Sequence, residues 1–154
     1  MTRLLPVLAL LFGLAGCVYR LQAPRPPAGG VHITVVNEGT RLVATQSLLH
    51  RAVADAVVRE LGWPVRPEGR ARLRLVLHEE AIEDSGADGD GITVAWRVEL
   101  RCSASWFGHG RHAASDFEAV GSYTSLDREA QALEAACETL ADSVVDWLAN
   151  QATP

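Results

Sequence analysis

The sequence predicts an α+β fold, a two-layer sandwich of order β-α-β-β-β-α with two helices on one face of a four-stranded mixed sheet. Three observations predict it. Four segments alternate apolar and polar residues with period two, two segments repeat apolar residues every three or four positions, and one of those helical segments separates the first two strands. A helical crossover makes that first strand pair parallel, and the shorter later connections make the remaining pairs antiparallel.

The first strand is Val31-His32-Ile33-Thr34-Val35-Val36, with Val31, Ile33 and Val35 on one face, and Asn37-Glu38-Gly39-Thr40 supplies a turn after it. From about Thr45 to Leu61, Leu49, Ala52, Val53, Ala56, Val57 and Leu61 form the stripe of an amphipathic helix, which Gly62 and Pro64 stop. Arg72 to His78 is a second strand with Leu73, Leu75 and Leu77 inward. The polar stretch Glu79 to Gly91 reads as a mobile acidic loop.

The third strand is the clearest, with Ile92, Val94, Trp96, Val98, Leu100 and Cys102 alternating against Thr93, Ala95, Arg97, Glu99, Arg101 and Ser103. Gly108, His109 and Gly110 make a turn. A weaker fourth strand runs from about Ala113 to Tyr123 with Phe117, Ala119 and Tyr123 on one face. The last helix, about Leu126 to Ala149, is capped by Ser125 or Asp127 and buries Leu133, Ala136, Cys137, Leu140, Val144 and Leu148. The sheet face away from the helices is expected to be polar, with Arg72, Arg74, Arg97, Glu99, Arg101, Asp116 and Glu118 of mixed sign available for cross-strand pairing.

The N-terminus carries an address. Arg3 and the apolar run Leu4 to Gly13 lead to Leu14-Ala15-Gly16-Cys17, which reads as a bacterial lipoprotein signal: residues 1–16 are removed and Cys17 is acylated. An ordinary cleaved signal or a short anchor is the alternative. Residues 17–30, whose RLQAPRPPAGG stretch holds three prolines and a Gly pair, form a tether, and residues 31–150 form a single domain. Acyl chains on Cys17 would hold the protein on a membrane without a spanning helix. Val18, in place of Asp, agrees with outer-membrane sorting. Fourteen basic and nineteen acidic residues, every basic one Arg, leave a formal charge of -5, which disfavours nucleic acid as a partner.

Candidate chemistry is sparse. His109 and His112 could offer two metal ligands, but no nearby pair of Cys or acidic residues completes a tetrahedral set, so solvated turn histidines are the better reading. Asp88-Gly89-Asp90-Gly91 lacks the later acidic residue of a full calcium loop. Trp106 and Phe107, adjacent at the tip of a hairpin, either anchor a lipid or protein groove or fold back over the end of the core. Cys102 and Cys137 both point inward. Layers about 10 Å apart, less a helix radius of about 2.3 Å, put their α-carbons near the limit of disulfide reach, favouring buried thiols. No activated nucleophile or phosphate-cradling Gly loop is present, so no enzymatic activity, cofactor or metal is expected.

Several stretches resemble one family. These are Gly16-Cys17 followed by Tyr19-Arg20-Leu21, the strand Ile33-Thr34-Val35-Val36-Asn37 with the helix after it, Gly121-Ser122-Tyr123 through Asp127, Glu129-Ala130-Gln131-Ala132-Leu133, and Leu140-Ala141-Asp142-Ser143-Val144-Val145-Asp146. Together the chain resembles the lipopolysaccharide-assembly lipoproteins, the LptE family, over nearly the whole mature length. The resemblance implies a plug in an outer-membrane β-barrel of the LptD type, a role in lipopolysaccharide transport to the outer leaflet, and a domain facing the periplasm or the barrel lumen. It assigns no lipid contact to a particular arginine. From the residues themselves, Arg97 and Arg101 on the polar face and Trp106 and Phe107 at the hairpin tip are the candidate partner or lipid contacts, and Cys17 is the lipidation site. The alternative is a free-standing envelope lipoprotein that binds a small amphiphile or scaffolds another complex.

Overall fold

Alternation in the first strand is realised in β1 (Val31–Asn37), where Val31, Ile33 and Val35 are buried and Thr34 is exposed. The computed structural model describes residues 24–38, 43–87, 93–124 and 128–152. After β1 come α1 (Val43–Ala56), which ends on a π turn at Val57–Leu61, then β2 (Ala71–Ala87), β3 (Thr93–Gly108), β4 (Arg111–Tyr123) and α2 (Glu129–Ala152). The sheet order is β1-β2-β3-β4, with β1 and β2 parallel and the other two pairs antiparallel. The two helices pack together on one side, and the architecture is the predicted one.

The helical stripe of α1 is buried at Leu49, Val53 and Ala56, and continues through Val57 and Leu61 of the π turn. Gly62 ends it at φ 65°, a left-handed position where a residue with a Cβ is disfavoured. Trp63 follows with its ring fully buried, and its indole N–H donates to the Pro24 carbonyl at 2.9 Å. That bond pins the entering chain to the end of the core. Val31 N–H donates to Pro64 O at 2.9 Å and Arg66 N–H to Val31 O at 2.8 Å, so residues 64–66 cover the start of the β1 edge.

α2 buries Leu133, Ala136, Cys137, Leu140, Val144 and Leu148, as its periodicity requires. Its predicted caps, Ser125 and Asp127, lie outside the described residues, as do Asp88 to Gly91. Two strand boundaries differ from the sequence expectation. β2 runs on to Ala87 where an acidic loop was expected, and β3 continues to Gly108. The cause is pairing: β3 offers an uninterrupted partner, and Glu83 lies opposite Arg97 in the ladder. A bulge at His78 allows it, since Leu77 pairs with Cys102 and Glu79 already with Arg101. The extra residue reverses the in–out alternation beyond it, which hides the strand from a simple period-two reading.

Candidate functional site

The outer face of the sheet, uncovered by helices, holds most of the chemistry. Its rows follow from the register. His32, Arg72, Phe107 and His112 form one row at the start of β1, and Thr34, Arg74, Ser105 and Ala114 form the next. Toward the other end the face becomes a charge ladder. Arg97 reaches Glu83 at 2.5 Å and Glu99 at 3.9 Å, while Arg101 pairs with Glu99 and reaches Glu118 at 3.3 Å. Three carboxylates therefore alternate with two guanidiniums across three strands.

Glu99 is the unexpected member. It is only 8% exposed, although its position on the outer face predicts solvation. Arginines on either side at i±2 cover it, because their long apolar stems lie over a central strand. Arg97 and Arg101 are thus brought together on one surface through Glu99.

Of the two readings of Trp106, a contact for a partner or lipid and a cover over the end of the core, the structure takes the second. Trp106 is 1% exposed, points to the helix side of β3 and stacks on Trp63 with centroids 5.7 Å apart. It folds over the end of the core. Phe107, one residue on, points to the outer face and is 55% exposed, at the opposite end from Arg97. Cys17 lies outside the described residues. His109 sits in the β3–β4 turn at φ 53° with its ring edge-on to Trp63, and His112 is exposed on the next strand. Among the described residues no group of three or more His, Cys, Asp or Glu side chains is placed to hold a metal.

Between the two ends lies a chain of hydrogen bonds that sequence reading missed. The Ser103 hydroxyl donates to Asp116 Oδ1 at 2.5 Å and sits 2.6 Å from His78 Nε2. The residue types are those of a hydrolytic triad, but their order is wrong for one. Nucleophilic serine gives its proton to histidine, with the carboxylate behind the imidazole. Here the proton already goes to the carboxylate, so the ring nitrogen acts as donor and Ser103 is not activated. With Arg101 and Glu118 these residues line a shallow groove of about 570 Å³. His78 continues the outward series of Arg72 and Arg74, but its meeting with Ser103 and Asp116 depends on the register of three strands, which no local sequence signal announces.

Cys102 and Cys137 are both buried and carry thiols rather than a disulfide. Burial, with Asp116 and Cys137 nearby, pushes the Cys102 thiol up to about 12. Thiolate chemistry is suppressed there. On the opposite side of the molecule, α1 and α2 flank a groove of about 360 Å³ floored by Ala52, Cys137 and Ala141. Arg51–Glu134 at 3.0 Å and Arg59–Asp142 at 3.1 Å bridge it.

The fold is shared with a solved bacterial protein. That protein, from Xanthomonas campestris and assigned to the DUF330 family, aligns over 82% of this chain and 88% of its own at 14% identity, with a TM-score of 0.57. An uncharacterized lipoprotein B from Nitrosomonas europaea aligns over 84% and 85% at 13% identity and TM-score 0.47. PelC from Paraburkholderia phytofirmans, a dodecamer, aligns over 80% and 92% at 14% identity and TM-score 0.48. At such identities the first likeness establishes a common fold alone, and the other two carry no argument. No protein-family model matches the chain, and no curated protein matches it.

Proposed function

We propose that this chain is an outer-membrane lipoprotein, acylated at Cys17, that acts without catalysis as a plug and assembly partner of a lipopolysaccharide-exporting β-barrel. The observation that carries the reading is the uncovered outer sheet face with its ladder from Glu83 to Glu118. The interior of a large outer-membrane barrel is polar and wet, and an alternating charge surface suits it better than it suits lipid or a dry protein interface. The leader ending in Gly16-Cys17 and the family resemblance along the chain support the same assignment. Among the described residues no helix is long and apolar enough to cross a membrane.

Extraction of the native protein in mild detergent, followed by affinity purification, tests the reading. A large β-barrel is expected to co-purify, and the Arg97→Gln, Arg101→Gln double variant is expected to reduce its recovery. Membrane attachment with no barrel recovered would overturn the plug and favour a free-standing envelope lipoprotein.

A further inference from the structure

The two ends of the outer sheet face differ in charge, and the difference coincides with the point where the chain enters. Arg25, Arg66, Arg70, Arg72, Arg74 and Arg111, six of the fourteen basic residues of an acidic chain, lie on segments that meet at the start of β1. These segments are the entry strand, the loop before β2, the first residues of β2 and the β3–β4 turn. Their one acidic residue is Glu68. Among the described residues Arg72 and Arg74 form no ion pair, in contrast to Arg97 and Arg101 at the other end. With His32, Thr34 and the 67–69 loop they line an open groove of about 410 Å³, and Phe107 stands 55% exposed beside Arg72 in the same row.

The anchor arrives at this end. Pro24 is tied to Trp63 through its carbonyl, and the seven residue-to-residue steps from Cys17 to Pro24 span no more than about 25 Å even fully extended. Pro24, where the chain enters at the arginine end, is therefore held within that distance of whatever lipid Cys17 carries. Arginines with one exposed aromatic among them form a surface that sits at a phospholipid interface, the guanidiniums on head-group phosphates and the ring at the acyl boundary.

We propose that the end of the sheet formed by His32, Arg72, Arg74 and Phe107 docks on the anionic phospholipid surface next to the anchor. The docking supplies a second membrane contact and fixes how the domain stands on the bilayer. This rests on acylation at Cys17 and not on the identity of any barrel. It leaves the Glu83–Glu118 end of the face for a protein partner.

The test uses the unacylated chain from Val18 to Pro154, which keeps every residue of the hydrophobic core, Val31 to Leu148. It is co-sedimented with vesicles of phosphatidylcholine alone or mixed two to one with phosphatidylglycerol. Binding to the mixed vesicles and not to phosphatidylcholine is expected, with release as salt is raised. Each arginine near an anionic surface is worth about a fivefold gain in partition, so Arg72→Glu with Arg74→Glu should lower binding at least about tenfold. Phe107→Ser should lower it less, and Arg51→Gln, on the helix side of the molecule, should leave it unchanged. The milder pair Arg72→Gln with Arg74→Gln, checked by circular dichroism, keeps the test valid if charge reversal perturbs folding. Equal binding to both vesicle types, or unchanged binding in the glutamine pair, overturns the proposal. Release by inorganic phosphate beyond that of chloride at equal ionic strength also overturns it, by assigning the groove to a soluble phosphate. Mass spectrometry of the native chain reads acylation separately, so loss of the anchor and loss of the docking surface are distinguished.

Discussion

Trp63 and Trp106 stack with ring centroids 5.7 Å apart and planes 25° from parallel, joining the residue after the α1 cap to the end of β3. Each ring is buried, yet their N–H groups have different fates: Trp63 donates to Pro24 O, whereas Trp106 Nε1 is buried without a partner among the described residues. Removing an unsatisfied donor costs less than removing a satisfied one. Trp106→Phe is therefore expected to cost only the transfer and cavity terms of a partial large-to-small change in the core, about 1–3 kcal/mol. Trp63→Phe should cost about 1 kcal/mol more, because the Pro24 carbonyl loses its donor. Urea denaturation of both variants checks the order, and a less stable Trp106→Phe would refute the account.

Gly121 fixes how closely α2 approaches the sheet. A Cβ at this position would lie 2.1 Å from the Ala132 carbonyl oxygen, backbone that cannot swing aside. Gly121→Ala is expected to destabilise by roughly 1–3 kcal/mol or more through overpacking. Thermal denaturation measures it, and a neutral effect would show that α2 sits farther from β4.

Glu99 couples Arg97 to Arg101. Each guanidinium is about half exposed, so either single Arg→Gln change is expected to cost under about 1 kcal/mol. With both removed, Glu99 is left nearly buried without a counter-charge, and the double variant should cost more than the two singles together. A double-mutant cycle in urea reads the coupling. Strict additivity would mean that Glu99 draws nothing from one of the two arginines.

Cys102 gives the stability a dependence on alkaline pH. The folded thiol ionises near 12 against an ordinary 9.0, so between those values the folded state keeps a proton that the unfolded state releases. Its contribution is fully present below about pH 9 and declines as pH rises toward 12. Denaturation midpoints across that range should fall, and they should fall less steeply in Cys102→Ala. Parallel slopes for the two proteins would count against the assignment.

Much of the fold was legible because periodicity reports burial directly. Leu73, Leu75 and Leu77, Val98 to Cys102, and the stripes around Val53 and Leu140 lie where their spacing placed them. The site was less legible. Arg97 and Arg101 were placed on the correct face, but the burial of Glu99 needs three strands in register. The sequence left the place of Trp106 open between exposure and burial because its cover, Trp63, is forty-three positions away and belongs to no local pattern. The β2 extension was hidden by the bulge at His78, where one inserted residue inverts the alternation from Glu79 to Asp84.

The sequence by itself determined the α+β order and the faces of the strands and helices, since each depends on neighbours within a few residues, and it alone carries the proposal of a leader ahead of Cys17. Only the tertiary structure decided which charges meet. Glu99 between two arginines, the His78–Ser103–Asp116 chain, and Arg72 and Arg74 beside the entry point, without an ion pair among the described residues, all depend on strand register. Register is set by long-range packing against the helices, and no local stretch of chain encodes it.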